Sequence, residues 1–175
     1  DMIVSLSANL RYTIKGGELV SLQEELDYVD RYILLQKTRL GGRLEVTKKI
    51  NPKVNLAVIP KISIQMLVEN AIIHGMPEDG AVLHIIIRVC MENNRLLISV
   101  YDDGKGILPE KVKELNDIFS GKSADTGNSI GLPNLASRLK ILYQGEAGLF
   151  LESQGDQFTE VQMELPIRKR GNENV

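Results

Sequence analysis

Residues 96–107 read Leu-Leu-Ile-Ser-Val-Tyr-Asp-Asp-Gly-Lys-Gly-Ile, an apolar strand that runs directly into a glycine-rich turn. Side chains of a strand alternate between its faces, and one face here carries Leu96, Ile98, Val100 and Asp102. The first three are apolar, so Asp102 is predicted to point into the same buried layer. A buried carboxylate is unfavourable unless donors pair with it. The stretch therefore predicts a sheet with a polar site at the end of one strand.

The Asp102 carboxylate suits the exocyclic amine of adenine, which is a hydrogen-bond donor. Guanine presents an acceptor at that position, and leaving the carboxylate unpaired would cost roughly 1–3 kcal/mol or more. Gly104 and Gly106 would let the backbone turn sharply and lie close to a flat base. The alternative is an ordinary Asp-Gly turn after a strand, since Asp-x-Gly-x-Gly is common by itself.

Upstream, residues 61–75 are predicted to form a helix with two different sides. At about 100° per residue, the core side carries Ile64, Leu67, Val68, Ala71, Ile72 and Gly75. Asn70 lies on the opposite side with Met66 and Ile73, flanked by Glu69 and His74. An amide oxygen there suits Mg²⁺, which usually binds few protein groups together with phosphate oxygens. The alternative is that Asn70 is simply a solvated helix residue.

Downstream, Gly127-Asn128-Ser129-Ile130-Gly131-Leu132 leads into a helix with Pro133 near its first position. A helix N-terminus preceded by glycines is a ready anion site, and Ser129 adds a hydroxyl donor. The pattern is neither a Walker A loop nor a dinucleotide fingerprint. The polar residues 116–128 before it are interpreted as a mobile lid over phosphates, with a disordered loop as the alternative.

The rest of the chain follows a mixed α/β pattern. Strands are predicted near residues 43–50, 81–91, 95–102, 147–153 and 158–166, and further helices near 109–118 and 133–143. Residues 2–15 look helical, and Gly16-Gly17 ends them. The capping box Ser21-Leu22-Gln23-Glu24 opens a second helix, with an apolar stripe of Leu22, Leu26, Val29, Ile33 and Leu40. This leader is either a packed helical hairpin or the connector to an upstream helical bundle.

Composition narrows the class of protein. The 175 residues suit one domain with a helical appendage, and the net charge of −2 gives no sign of nucleic-acid or membrane-surface binding. The single cysteine excludes an internal disulfide. No apolar run approaches the roughly 18 residues of a membrane span, and no signal peptide is visible. The chain starts at Asp1 without an initiator Met, so we expect a fragment whose upstream part could hold a membrane anchor.

The three motifs, in this order and spacing, resemble the N, G1 and G2 boxes of the GHKL ATPase superfamily. That superfamily covers sensor histidine kinases, type II topoisomerases, heat-shock chaperone ATPases and mismatch-repair ATPases. Residues 67–75 and 129–135, together with Arg138-Leu139, look like the YesM/LytS branch of histidine kinases. The leader segments 22–26 and 36–39 also resemble the connector of that branch. The resemblance covers about residues 2–168.

The resemblance implies a Bergerat fold, an α+β sandwich in which a mixed sheet lies under a layer of helices and ATP binds between helices and lid. It implies that Asn70 coordinates Mg²⁺ and that Asp102 binds the adenine amine. Thr159 matches a threonine that often supports this carboxylate through water, and Glu69 is a candidate polarising or base residue. Further ATP contacts are implied for His74, Gly104, Gly106, Ile107, Ser129, Gly131 and Leu132.

Some positions depart from the family pattern. Relatives usually carry Lys or Arg where Ile73 stands, and often where Pro133 stands. Many other GHKL enzymes have Glu or Asn at the position of Met66, and Asn is commoner at that of Asp103. Two cations fewer near a triphosphate should weaken phosphate binding. We therefore expect a modest and strongly Mg²⁺-dependent affinity for ATP.

The resemblance implies a catalytic domain of a two-component sensor histidine kinase, with residues 1–42 as leader, 43–168 as ATP-binding domain and 169–175 as a frayed tail. Its histidines are His74, in the nucleotide-side motif, and His84, on a strand. Neither has a phosphoacceptor setting, so we expect the acceptor histidine upstream, in the same or a partner subunit. The isolated chain should then be unable to autophosphorylate.

The resemblance also implies a response regulator as the downstream partner. It further implies that the chain is the cytoplasmic domain of a bacterial inner-membrane protein. The alternatives are a non-catalytic ATP-binding or protein-interaction module and an ATP-hydrolysing GHKL switch. Met66, which cannot act as a base one turn before Asn70, argues against the switch.

Overall fold

The computed structural model describes residues 17–54, 56–124 and 131–167. The predicted first helix over residues 2–15, Ser129 and the tail 169–175 lie outside the described residues. No helix in the described ranges is long and apolar enough to cross a membrane.

A five-stranded mixed sheet forms the floor of the fold. Its strands are β2 (Leu44–Ile50), β4 (Leu83–Glu92), β5 (Arg95–Asp102), β6 (Gly148–Gln154) and β7 (Phe158–Pro166). Their order in the sheet is β2-β4-β5-β7-β6. The pair β2 and β4 is parallel, and the other three pairs are antiparallel. All five agree with the predicted strands within two residues at each end, and the mixed sheet under helices confirms the predicted α+β fold.

The helices pack on one face of this sheet. They are α1 (Leu22–Leu40), α2 (Ser63–Gly75), α3 (Pro109–Ser120) and α4 (Leu132–Leu142). Alternation along the central strands explains this layering, because the inward side chains of β4 are apolar and at most 1% exposed: Leu83, Ile85, Ile87 and Val89. The corresponding residues of β5 are Leu96, Ile98 and Val100, followed by Asp102.

Helix α1 begins at the predicted capping box, in which the Ser21 hydroxyl accepts the Glu24 N–H and the Glu24 carboxylate accepts the Ser21 N–H. Its predicted stripe is buried at Leu22, Leu26, Val29 and Ile33, and Leu40 is partly buried against the same core. The described part of the leader therefore shares one hydrophobic core with the sheet. The domain boundary at residue 42 stays a prediction.

A second, two-stranded antiparallel sheet was not predicted. It pairs β1 (Leu19–Ser21) with β3 (Val58–Pro60), and a 3-10 turn at Pro52–Val54 precedes β3. Strands of three residues are too short to show a period of two, so the sequence carries no signal for them. This small sheet joins the start of α1 to the start of α2.

The predicted lid over residues 116–128 begins too early. Residues 116–120 belong to α3, which ends at Gly121 in the left-handed conformation. Asn116 donates to the Leu151 carbonyl at 2.7 Å and accepts the Leu151 N–H at 2.9 Å, which satisfies part of the free edge of β6. Phe119 is 3% exposed. These contacts hold the polar stretch in a helix, and residues 125–128 lie outside the described part.

Candidate functional site

An open pocket of about 810 Å³ lies between α2, the turn after β5 and the N-terminal end of α4. This volume falls within the range of small-molecule sites. The pocket brings residues of all three sequence motifs together. Its lining consists of Met66, Glu69, Asn70, Ile73, His74, Lys105, Gly106, Ile107, Lys111, Leu115, Gly131, Leu132, Pro133 and Leu151.

Helix α2 presents the expected face to this pocket. All members of its predicted core stripe are buried, which turns the opposite side outward. Glu69 and Asn70 are half-buried, whereas Ile73 and His74 are exposed on the pocket wall. The helical phase therefore identified the right side of the helix, and the roles of Asn70 and Glu69 stay predictions.

Helix α1 also packs against α2. Burial, and secondarily the negative charge of Glu69, raises the pKa of Tyr32 in α1 to about 12. The hydroxyl of Tyr32 is hydrogen-bonded to Gln36 in the same helix. The charge of the candidate catalytic residue therefore acts on a side chain of the leader.

Asp102 is 2% exposed, as the strand phase predicted, and it is not among the residues that line the pocket. Within the described ranges a single donor contacts its carboxylate, the Gly104 N–H, which lies 3.1 Å from Oδ1. Burial raises the pKa of Asp102 to about 7, although the Gly104 N–H acts in the opposite direction. A carboxylate with so few donors gains from a ligand that donates a hydrogen bond to it.

Glycine backbones pack closely around Asp102. A Cβ on Gly104 would lie 2.1 Å from the Gly75 carbonyl oxygen, and a Cβ on Gly75 would lie 2.5 Å from Asp102 Oδ1. Gly106 has a φ of 64°, and its Cβ would lie 2.1 Å from the Gln154 carbonyl oxygen. The contact between Gly75 and Gly104 was not predicted, because it joins two elements that are far apart in the sequence.

Thr159 lies beside Asp102, since the two residues pair across β5 and β7. It is 4% exposed, and its hydroxyl lies 3.0 Å from Ser153 Oγ. Ser153 Oγ accepts the Ile107 N–H at 2.7 Å and donates its one hydrogen to the Phe158 carbonyl at 2.7 Å, so Thr159 donates to Ser153. Ser153, which belongs to none of the motifs, thus ties the turn at residues 104–107 to the sheet.

The N-terminal end of α4 opens onto the pocket. Gly131 is its N-cap residue, no described side chain caps this end, and among the described residues none beyond its own stretch of chain lies within 4 Å of a Cβ built on Gly131. Helix N-termini carry unpaired N–H groups that favour anions. Leu132 and Pro133 line the pocket at the same end. Ser129 lies outside the described residues, so its contact with phosphate stays a prediction.

Two cations at the pocket were not identified from the sequence. Lys105 and Lys111 line it, and their ammonium groups pair with Glu78 at 3.1 Å and Glu114 at 2.9 Å. Ion pairs at the surface are weak, so these lysines can turn toward a phosphate at little cost. They offset part of the positive charge that is missing at Ile73, which is 57% exposed. Sequence reasoning overlooked them because neither stands at a family cation position.

Comparison with known proteins gives two family matches. The family described as histidine kinase-, DNA gyrase B- and HSP90-like ATPase matches residues 60–169, and the histidine kinase family matches residues 1–44. Among solved structures, the catalytic domain of the histidine kinase ThkA has a TM-score of 0.61 at 17% identity, covering 85% of this chain and 93% of that chain. At this identity the likeness concerns the fold alone.

Curated relatives point to one branch. The sensor histidine kinase YpdA of Escherichia coli (strain K12) is 38% identical over 146 residues, which cover 81% of this chain and 24% of YpdA. The sensor protein LytS of Bacillus anthracis is 29% identical over 174 residues, which cover 98% of this chain and 29% of LytS. The chain thus spans less than a third of the length of these two relatives. It belongs to the histidine kinase-, DNA gyrase B- and HSP90-like ATPases, and it carries a catalytic, ATP-binding domain of the kind found in sensor histidine kinases.

Proposed function

We propose that this domain binds Mg²⁺-ATP and presents its γ-phosphoryl group to a histidine that lies outside the 175 residues. The observation that carries this proposal is the shared pocket. Asn70, the turn over Asp102 and the N-terminal end of α4 surround one space, so a nucleotide could contact all three at once.

The residues fit an ATP molecule in one orientation. Asp102 would accept the adenine amine, and the backbone at Gly104 and Gly106 would lie against the base. The open N-terminal end of α4 would receive phosphate oxygens. The base and the triphosphate would then occupy opposite ends of the pocket.

The donor set at Asn70 fits Mg²⁺ only together with a nucleotide. The described residues contain no group of three or more His, Cys, Asp or Glu side chains that could hold a metal ion by themselves. Asn70 would supply one amide oxygen, and phosphates would supply others, which is how Mg²⁺ usually binds. When bound, the ion would neutralise charge that develops on the phosphates during transfer.

Transfer of the γ-phosphoryl group to histidine requires that this chain position the reacting groups, and it requires no covalent intermediate on this chain. An incoming imidazole nitrogen would form a bond to the γ-phosphorus as the bond to the bridging oxygen breaks, releasing ADP. Glu69 on the pocket wall would orient the imidazole by accepting its N–H proton in a hydrogen bond. The half-buried position of Glu69 beside Asn70 supports this role.

Neither histidine of the chain is proposed as the acceptor. His74 stands on the pocket wall, while the Nδ1 of His84 lies 2.7 Å from an Asp103 carboxylate oxygen, away from the pocket lining. Its Nε2 faces Glu45 at 3.7 Å, a charge that would repel a phosphoryl group. We propose an acceptor in the same or a partner subunit, a response regulator downstream, and attachment to the bacterial inner membrane through an upstream segment.

The test is phosphorylation by ATP radiolabelled at the γ-phosphate, with this chain and with a longer chain that includes its natural upstream sequence. We expect acid-labile phosphohistidine on the longer chain and none on the 175 residues. Asn70→Ala in the longer chain should lower the initial rate by about 100-fold or more, because phosphate positioning is lost.

Three outcomes would contradict the proposal. Acid-labile label on the 175-residue chain alone would show that its own histidines serve as acceptors. A longer chain that binds ATP but stays unlabelled would favour a non-catalytic ATP-binding module, and steady ATP hydrolysis without labelling would favour an ATPase switch.

A further inference from the structure

Glu25 is a fully buried acid outside the pocket, in the first turn of α1. It is 0% exposed, although an isolated buried carboxylate is very unfavourable. Its Oε2 accepts the Ile62 N–H at 2.8 Å, and its Oε1 accepts the N–H groups of Ile64 at 3.0 Å and Gln65 at 3.3 Å. One side chain from the leader helix therefore satisfies three backbone donors of another element.

These three donors form the N-terminal end of α2, the helix that carries Glu69 and Asn70. Its N-cap residue, Ile62, has no side-chain cap of its own and a φ of 66°, which is unfavourable for a β-branched residue. The Glu25 carboxylate replaces the missing cap, and its charge is favourable at the positive end of the helix dipole. A residue of α1 thus caps the N-terminal end of α2.

The helix after the glycine-rich loop meets the same point. Arg138 of α4 donates to the Lys61 carbonyl at 2.7 Å, directly before Ile62. Burial lowers the pKa of Arg138, while attraction to the carboxylates of Glu25 and Glu18 opposes this shift. The Arg138 guanidinium and the Glu25 carboxylate therefore both form hydrogen bonds to the backbone of one short segment, residues 61–65.

We propose that Glu25 is a positioning residue for the nucleotide site, which fixes α2 and α4 relative to the leader helix through segment 61–65. This role rests on the proposed function and extends it, because a displacement of α1 would move the Asn70 wall and the phosphate end of the pocket together. The leader would then set the competence of the site.

The test compares the intact chain with Glu25→Gln and with Glu24→Gln as matched control. Glu24 lies next to Glu25, but its carboxylate accepts the N–H of Ser21, the N-cap residue of α1. We expect Glu25→Gln to weaken Mg²⁺-ATP binding about tenfold through misplacement of the pocket walls. Amide hydrogen exchange at residues 62–65 should accelerate in the same variant. Glu24→Gln should change ATP affinity less than about twofold.

A folded Glu25→Gln chain with wild-type ATP affinity overturns the inference, even at a lower melting temperature, since a cap that only stabilises the fold leaves the site intact. If Glu25→Gln does not fold, the Arg138→Gln variant tests the inference instead, because it loosens segment 61–65 while keeping Glu25. Weaker ATP binding by Arg138→Gln supports the inference, and unchanged binding overturns it. A wild-type chain that binds no nucleotide contradicts the proposed function, whereas unchanged binding in the variants contradicts only this inference.

Discussion

Asp102→Asn is expected to weaken ATP binding by roughly 10- to 100-fold, which is the worth of a hydrogen bond to a charged acceptor. The substituted amide would keep the size of the side chain but lose the charge that the adenine amine would meet. The same substitution should increase the stability of the fold, although it weakens ATP binding. Burial raises the pKa of Asp102 to about 7, so its ionised form is unfavourable in the folded state, and the variant should be more stable than the wild type at pH 8. Calorimetric titration and urea unfolding measure the two effects.

The pH dependence of ATP binding separates this charge from other effects. Only the ionised carboxylate accepts the amine on both oxygens, and with a pKa of about 7 it is mostly ionised at pH 8 and mostly protonated at pH 6. Wild-type affinity should therefore fall about tenfold from pH 8 to pH 6. The phosphates of ATP also titrate in this pH range. The change in affinity that the Asp102→Asn variant shows between pH 8 and pH 6 measures the contribution of the phosphates. Equal pH profiles for the two proteins would exclude Asp102 from the adenine site.

The sign of the stability effect follows from linkage. The pKa of Asp102 is higher in the folded state than its ordinary 3.8, so between about pH 4 and pH 7 the folded chain holds a proton that the unfolded chain has lost. The contribution of this group to the free energy of unfolding therefore decreases as the pH rises through that window. Above about pH 7 it stays constant.

Gly104→Ala is expected to destabilise the domain by about 3 kcal/mol or more, the upper range for overpacking of a closed interior. The added Cβ would lie 2.1 Å from the Gly75 carbonyl oxygen and 2.4 Å from Gly75 Cα, and backbone atoms cannot turn aside as a side chain would. Relief requires a shift of the turn or of the end of α2. Nucleotide binding should be lost in whatever fraction remains folded, since both elements line the pocket.

Gly148→Ala is the matched control for this substitution. In the part of the chain that the structure describes, no residue other than its two chain neighbours lies within 4 Å of a Cβ built on Gly148, and its backbone is not left-handed. Its free energy of unfolding should change by no more than about 0.5 kcal/mol. Equal unfolding midpoints for Gly104→Ala and Gly148→Ala would contradict the close packing of Gly75 and Gly104.

Periodicity predicted the parts of this fold in which one face is uniformly apolar. The α2 stripe and the alternation of β5 identified the sides that carry Asn70 and Asp102, because a single shift of phase would have exposed several aliphatic residues. The bounds of the main strands followed from the same signal. The roles of these residues still rest on family resemblance.

Long-range contacts could not be predicted in this way. The cap of α2 by Glu25 joins residues 37 to 40 positions apart, and a capping-box position in α1 accounts only for its neighbour Glu24. Ser153 belongs to no motif, and its place is fixed by the pairing of β6 with β7. The directions of the Lys105 and Lys111 side chains depend on the turn after β5 and on α3. In each case the decisive information is tertiary.

The most direct test of the account is calorimetric titration of the wild-type chain with ATP and with GTP at pH 8, each with and without Mg²⁺. We expect one ATP to bind per chain, with a modest affinity that falls strongly when Mg²⁺ is removed. GTP should bind at least about 100-fold more weakly, because the Asp102 carboxylate would face a hydrogen-bond acceptor of guanine. Equal affinity for the two nucleotides, or no binding of ATP, would contradict an adenine-specific site. Tight binding of ATP without Mg²⁺ would contradict the role of Asn70 and the metal.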